Sequence, residues 1–201
     1  MSDKIVGIGG LPRGGKDSLA DLFLQEGWFG ISFGDFLRDF ARKRHSDKPD
    51  PISVTNMTET SNWLRTTYGP DVILKEALKQ FEEKKRAGKH YKGLVLWSIR
   101  APVEVDFILA HHGDLIWVEA SDTMRHQRNL KSLRPGEKKT TLAEFKAQEA
   151  LQWKPQPGVP KEVQMDLSYV KAHATRIFVN SGSDLDAFLG ESRELINLLS
   201  T

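Results

Sequence analysis

Gly10, Gly15 and Lys16 stand at the spacing G-x-x-x-x-G-K, within the run Gly9-Gly10-Leu11-Pro12-Arg13-Gly14-Gly15-Lys16-Asp17-Ser18. Glycines at this spacing let backbone N–H groups close around phosphate oxygens with no Cβ in the way. A helix starting there adds unpaired N–H groups and its positive dipole end. A lysine at the turn bridges the outer phosphates of a nucleoside triphosphate and offsets charge during transfer. The flanks match: the apolar run Lys4–Ile8 reads as a strand, and Asp17–Glu26 carries apolar residues at helical spacing. Strand, glycine turn and helix are the context this chemistry needs. Gly10, Arg13, Gly14, Gly15, Lys16, Asp17 and Ser18 are therefore the expected ATP-binding residues. Asp17 occupies the place of the usual Ser or Thr, so Asp17 and Ser18 are the candidate magnesium ligands, a carboxylate being a good hard-oxygen donor. The rival G-x-G-x-x-G pattern fails, because a third glycine after Gly7 and Gly9 would fall on Pro12.

The elements that must position this loop alternate along the chain. Strands are expected over residues 28–33, 93–97, 114–119 and 175–180. Helices are expected over 35–44, from Thr58–Ser61 onward, 71–85, 102–112 and 184–199. Residues 45–57 are polar, carry Pro49 and Pro51, and read as a loop. Residues 121–153 read as polar, basic and helix-prone, with Thr140–Glu144 as a capped helix start. Alternating strands and helices give a parallel sheet in a layered α/β domain, with its ligand at the carboxyl ends of the strands.

Composition narrows the class. A chain of 201 residues, 39% hydrophobic and 28% charged, fits one globular domain. A formal net charge of +2 does not by itself imply a polyanionic partner. Without cysteine there are no disulfides or thiolate metal sites. No apolar run reaches the roughly 20 residues that span a bilayer, and residues 1–4 lack a signal-peptide pattern. A cytoplasmic protein with no membrane partner is the expectation, and oligomeric state is not legible.

In this order of elements the chain resembles the P-loop nucleoside and nucleotide kinases, among them phage-type deoxynucleoside monophosphate kinases and dephospho-coenzyme A kinases. The resemblance is carried by Gly15–Ser18; by Ile31–Arg38, like the second strand and its helix; and by Leu64–Asp71, like an "LR-x-x-x-GPD" segment. It continues in Ser98–Val105, like "D-G-x-R-x-P-x-E-V", in Arg125 and Arg128, like the "R-x-x-R" entry to a lid, and in Val179–Gly182, like an "N-x-G" turn beside an adenine. It implies a three-layer P-loop fold over 1–201, with a parallel sheet flanked by helices, an acceptor region at about 35–90 and a helical lid at about 121–160. It departs from the pattern at Trp97, where the group has an Asp tied to magnesium.

The resemblance implies an ATP- and magnesium-dependent phosphotransferase. Lys16, Asp35, Arg125 and Arg128 would be catalytic, and Asn180 and Gly182 would join the ATP site. Asp35, Arg38, Arg65 and Arg100 would hold the acceptor, since guanidinium groups match anionic oxygens two-pronged. Asp35 has two readings, as general base or magnesium ligand at a strand end and as N-cap of the helix reaching Arg44. Arg13 reads equally as a phosphate contact and a solvated loop residue. The lid arginines, with Arg134, Lys131, Lys138 and Lys139, read as a cationic cover or as a solvated face. Trp63 and Trp153 read as core, with base stacking the alternative. A (deoxy)nucleoside monophosphate stands first among acceptors. The rivals are a hydroxyl acceptor, either dephospho-coenzyme A or a hydroxymethylated base in DNA, and a nucleotide-binding module without turnover, which Trp97 favours.

Overall fold

The computed structural model describes residues 3–133, 139–153, 160, 164–182 and 184–200. Five parallel strands form one sheet in the order β2-β3-β1-β4-β5: β1 (Ile5–Gly10), β2 (Phe29–Ser32), β3 (Leu94–Ile99), β4 (Asp114–Glu119) and β5 (Arg176–Val179). Every residue of β1 and β3 is buried, as expected of continuous apolar runs covered on both faces. One face packs Leu19 and Phe23 of α1 (Lys16–Gln25) and Phe188 and Ile196 of α9 (Leu185–Ser200) against Ile8, Val95 and Trp97. The other face holds α2 (Phe33–Arg44), α3 (Val54–Tyr68), α4 (Val72–Arg86), α5 (Pro102–Ala110) and α8 (Leu167–Ala172) around Leu96, Ile99 and Trp117. The result is three layers.

β1 and β3 are neighbours, yet the helices that follow them, α1 and α5, leave toward opposite faces. This is the switch point where an open parallel sheet leaves a crevice at its carboxyl edge. Gly10 ends β1 there, and Ser98 and Ile99 end β3, with Arg100 following. The β1–β3 register runs Ile8 to Trp97 and then Gly9 to Ile99, so Ser98 is the extra residue of a bulge, with φ 66°.

The elements differ from the sequence reading in three places. First, α3 begins at Val54 rather than at Thr58, because Ser53 caps it, its hydroxyl accepting from the Asn56 amide at 3.3 Å. Asn56 in turn donates to the Asp50 carbonyl at 2.7 Å, which folds residues 45–53 onto the helix. Second, α8 was not anticipated. Its Val170 packs so close to β1 that a Cβ on Gly9 would lie 2.7 Å from it. Third, Ser32 rather than Asp35 caps α2, accepting from the Asp35 amide at 3.1 Å. The helix-prone stretch resolves into α6 (Asp122–Lys131) and α7 (Leu142–Trp153). Thr141 caps the region before α7, donating to and accepting from Glu144. Arg134, Lys138 and residues 154–159 of the anticipated lid lie outside the described residues.

Candidate active site

The glycine loop closes between Gly10 and α1, and its shape explains its glycines. Gly10 has φ 146°, and a Cβ there would lie 2.6 Å from the Val118 carbonyl oxygen. Gly15, the N-cap of α1, has φ 106° and supplies no side-chain cap. A left-handed position open only to glycine at low cost thus begins a helix whose first N–H groups no side chain covers, and these groups are what bind anions. Lys16 is buried at the first position of α1, with 5% of its surface exposed.

The loop's carbonyl side is braced from three directions. Asn180, just past β5, donates from Nδ2 to the Gly14 carbonyl at 2.9 Å. Its Oδ1 accepts from Arg128 at 3.1 Å, and Arg128 also donates to the Arg13 carbonyl at 3.2 Å. Arg13 itself has φ 62° and reaches out to α6, donating to Asn129 Oδ1 and Ser132 Oγ, both at 3.1 Å. Burial lowers the Arg128 pKa. The carbonyl oxygens of Arg13 and Gly14 are thus turned to α6 and Asn180.

Arg125 is the most committed of the expected lid residues. Its guanidinium pairs with Glu149 on α7 and with Asp122 at 2.6 Å, and donates to the Ala120 carbonyl at 3.1 Å. It also approaches the Pro12 carbonyl at 3.4 Å. In this arrangement Arg125 is a tie between α6, α7 and the loop. Burial raises the Glu149 pKa, with Arg125 opposing that rise.

Two cavities meet at the loop. The larger, about 520 Å³, has Lys16, Arg38, Arg65 and Arg100 in its wall, together with Phe33 and Phe145. The smaller, about 410 Å³, is bounded by Gly15, Ser18, Arg128, Asn180, Gly182 and Phe188. Arg13 and Asp17 line both, so the loop is the ridge between them. Gly182 has φ 74°, and a Cβ on it would strike Met124 at 2.3 Å and Arg128 at 2.4 Å.

The arginines do converge. Burial lowers the Arg100 pKa most, and the nearby charges of Arg38 and Arg65 push it the same way, against Glu104 and Asp17. The terminal nitrogens of Arg65 are engaged within the protein, however. It donates to Glu104 at 2.6 Å and pairs with Ser61, and both ion-pair partners are 2% exposed. Glu104 also accepts from the amides of Arg100 and Ala101, at 2.7 and 3.0 Å. Asp35 is exposed, pairs with Arg38 one turn on, and lines neither cavity.

Trp97 points away from the site into the core beside Ile8 and Phe23. Trp63 packs under Arg44, 4.4 Å from its guanidinium carbon, and Trp153 meets Trp117 edge-on at 5.9 Å, so neither lines a cavity. Sequence reasoning missed Ser98, Asn129, Phe145 and Glu149, all in the larger cavity's wall. Ser98 carried a signal, since it stands where the kinase pattern has glycine. The others are contributed by α6 and α7 only through packing, and their helical spacing does not distinguish them.

Among the described residues no group of three or more acidic or histidine side chains is arranged to hold a metal. Magnesium in phosphoryl transfer needs fewer, one or two carboxylates with substrate phosphates. Asp17 is exposed at the first turn of α1 and lines both cavities. It also lies near other carboxylates. Burial raises the Asp21 pKa, with Asp17 and then Asp35 adding to the rise.

A five-stranded parallel sheet in three layers, with a G-x-x-x-x-G-K loop joining β1 to α1, is a P-loop NTPase fold. Solved structures share it. A shikimate kinase from Bacteroides thetaiotaomicron superposes with a TM-score of 0.57 at 13% identity, covering 98% of this chain and 99% of that one. A dephospho-CoA kinase from Campylobacter jejuni gives 0.50 at 17% identity, covering 98% and 96%. TT1252 from Thermus thermophilus gives 0.51 at 18% identity, covering 95% and 98%. At these identities the likeness is one of fold. In sequence, the chain is similar to a UPF0200 protein from Staphylothermus marinus, at 27% identity over 187 residues, 92% of this chain and 88% of the relative. A UPF0200 protein from Methanococcus vannielii matches at 28% over 126 residues, 62% and 64%. No family model matches the chain.

Proposed function

We propose that the protein is an ATP-dependent phosphotransferase whose acceptor is a nucleotide, with a (deoxy)nucleoside monophosphate first. The observation that carries this reading is the pair of cavities joined at the glycine loop, one floored by arginines and the other flanked by Asn180 and Gly182. ATP would lay its triphosphate along the loop, with its base in the smaller cavity. The γ-phosphate would then face the larger cavity, where an acceptor oxygen attacks in line. Lys16 neutralises charge on the transferred group, and Arg38 and Arg100 hold the anionic acceptor. Arg128 and Arg125 act by bracing the loop. Asp17, with Ser18 beside it, would hold magnesium, which supplies charge neutralisation between the phosphates.

The position of Asp35 favours the monophosphate over a hydroxyl acceptor. A hydroxyl acceptor requires a base within reach of its proton, and Asp35 lies outside both cavities. A monophosphate acceptor is already ionised and requires none.

The test is an ATP-consumption screen with magnesium over deoxy- and ribonucleoside monophosphates, dephospho-coenzyme A and hydroxymethylated DNA, with Lys16→Ala as control. Lys16-dependent turnover of a monophosphate supports the reading. Turnover of only a hydroxyl acceptor replaces it. ATP binding without any turnover leaves a nucleotide-binding module.

A further inference from the structure

Ser98 is the bulge residue one place before the end of β3, and it is one of the non-glycine residues in the left-handed region, at φ 66°. A glycine would take that conformation without the clash between Cβ and backbone that every other residue bears. Strain of this kind persists where the side chain has a use. The Ser98 side chain lies in the wall of the larger cavity, and the residue is 8% exposed. Among the described residues its hydroxyl makes no hydrogen bond.

Its neighbours define what the hydroxyl could meet. Gly34, at the start of α2, leaves a gap where a Cβ would stand. Ser98 Oγ lies 3.3 Å and Arg38 Nη1 3.4 Å from that point. Arg100 follows two residues later and lines the same cavity. A hydroxyl donor and the Arg38 guanidinium thus flank one point of the cavity wall. Asp35 engages Arg38 through Nε and Nη2; Arg38 Nη1 and the Ser98 hydroxyl are the donors at that point, a seat for an oxyanion.

We propose that Ser98 contacts the substrate, its hydroxyl donating a hydrogen bond to an anionic oxygen of the acceptor that Arg38 and Arg100 hold. That the anion belongs to a phosphoryl acceptor rests on the kinase reading; that the seat binds an oxyanion does not. Ser98→Ala removes the hydroxyl and keeps the Cβ. Ser98→Gly removes both and relieves the backbone.

The acceptor KM is expected to rise about tenfold or more in both variants, the range for losing a hydrogen bond to a charged group. The KM for ATP should stay within about twofold, because the loop is untouched. The melting temperature of Ser98→Gly should equal or exceed that of the parent, whereas a merely structural serine would show a fall. An unchanged acceptor KM in Ser98→Ala overturns the proposal, and so does a lower melting temperature in Ser98→Gly.

A second measurement separates this proposal from the kinase reading. Inorganic phosphate is titrated against melting temperature in a Lys16→Ala background, which weakens the loop's own anion site. Phosphate should stabilise that variant at roughly tenfold lower concentration than it stabilises Lys16→Ala with Ser98→Ala. Equal titrations, or no stabilisation of either, overturn the Ser98 assignment. Ser98-dependent phosphate binding in a protein that phosphorylates no acceptor would keep the assignment and sink the kinase reading.

Discussion

Arg65 on α3 and Glu104 on α5 form a 2.6 Å ion pair in which each side chain is 2% exposed. Glu104 spends its other oxygen on the Arg100 and Ala101 amides. The pair therefore fixes the turn that carries Arg100 into the cavity, and it does so from within the protein. Arg65 read from sequence as an acceptor ligand; its two terminal nitrogens are engaged by Ser61 and Glu104, while its buried Nε has no partner among the described residues. Removing one partner of a buried pair leaves an uncompensated charge, a loss of about 3–5 kcal/mol. Arg65→Ala is thus expected to lower the unfolding free energy by that amount in urea titrations. Arg65→Met with Glu104→Gln should cost less than the sum of the two single changes. Full stability in Arg65→Ala, with only acceptor KM raised, would restore the ligand role.

Arg100 and Asp35 make a kinetic contrast. Arg100 lines the cavity and Asp35 does not. Arg100→Ala is expected to raise the acceptor KM by about 10- to 100-fold, the worth of one charged hydrogen bond or somewhat more. Asp35→Asn should change kcat by less than about tenfold, since general bases contribute about 10²–10⁴ and none is invoked here. Steady-state kinetics with the acceptor found by screening checks both. Loss of turnover in Asp35→Asn with ATP binding intact would point to a hydroxyl acceptor.

The sheet was legible because β1 and β3 are unbroken apolar runs, and because Gly10, Gly15 and Lys16 announce the turn between β1 and α1. Helix α3 was placed late because Ser53 follows two prolines and its capping hydroxyl is a weak local signal. Helix α8 is a short helix with no long period to detect. The site was half legible. Glycines and the Asn180 turn follow from local backbone chemistry. Whether an arginine faces a ligand or an internal carboxylate depends on where distant helices lie. Nothing near Arg125 in sequence announces Glu149, and nothing near Arg65 announces Glu104.

Trp97 replaces an acidic residue of the kinase pattern, which makes Trp97→Asp a tempting restoration. The indole is 9% exposed and packs in the core beneath α1. Truncating a core tryptophan costs about 3–5 kcal/mol, and burying an unpaired carboxylate adds to that. Trp97→Asp is expected to unfold at markedly lower urea concentration and to gain no magnesium dependence. A stable variant with tighter magnesium binding would show that the core can reorganise there.

Asp122 on α6 gives a pH dependence. Hydrogen bonds from Lys146 and then Arg125 hold its carboxyl below the ordinary 3.8. A carboxyl whose folded pKa is depressed contributes stability above its unfolded pKa, and that stability is lost as pH falls through the folded value. Its side chain is 43% exposed, so screening limits the effect. Asp122→Asn should cost under about 1 kcal/mol at pH 7. The gap between variant and parent should close as pH drops below 3.8 in denaturant titrations. A gap that widens toward acid would reverse the assigned direction.

Asn180 links the nucleotide loop to α6 through one amide, donating to Gly14 and accepting from Arg128. Asn180→Ala leaves a loop carbonyl and a guanidinium hydrogen unpaired and lets the loop relax. A loss of about 1–2 kcal/mol, or roughly 5- to 30-fold in ATP affinity, is expected. Asn180→Asp keeps the acceptor for Arg128 but sets a carboxylate against the Gly14 carbonyl, so it should bind no better than alanine. Gly15→Ala attacks the same contact from the other side. Its Cβ would lie 2.2 Å from Asn180 Nδ2, at a φ of 106° that alanine resists. Combining Gly15→Ala with Asn180→Ala removes the clash but not the backbone strain. The double variant should therefore bind ATP no more tightly than Asn180→Ala alone in calorimetric titrations. Recovery of parental affinity would show that steric fit, and not the loop's left-handed turn, makes glycine necessary.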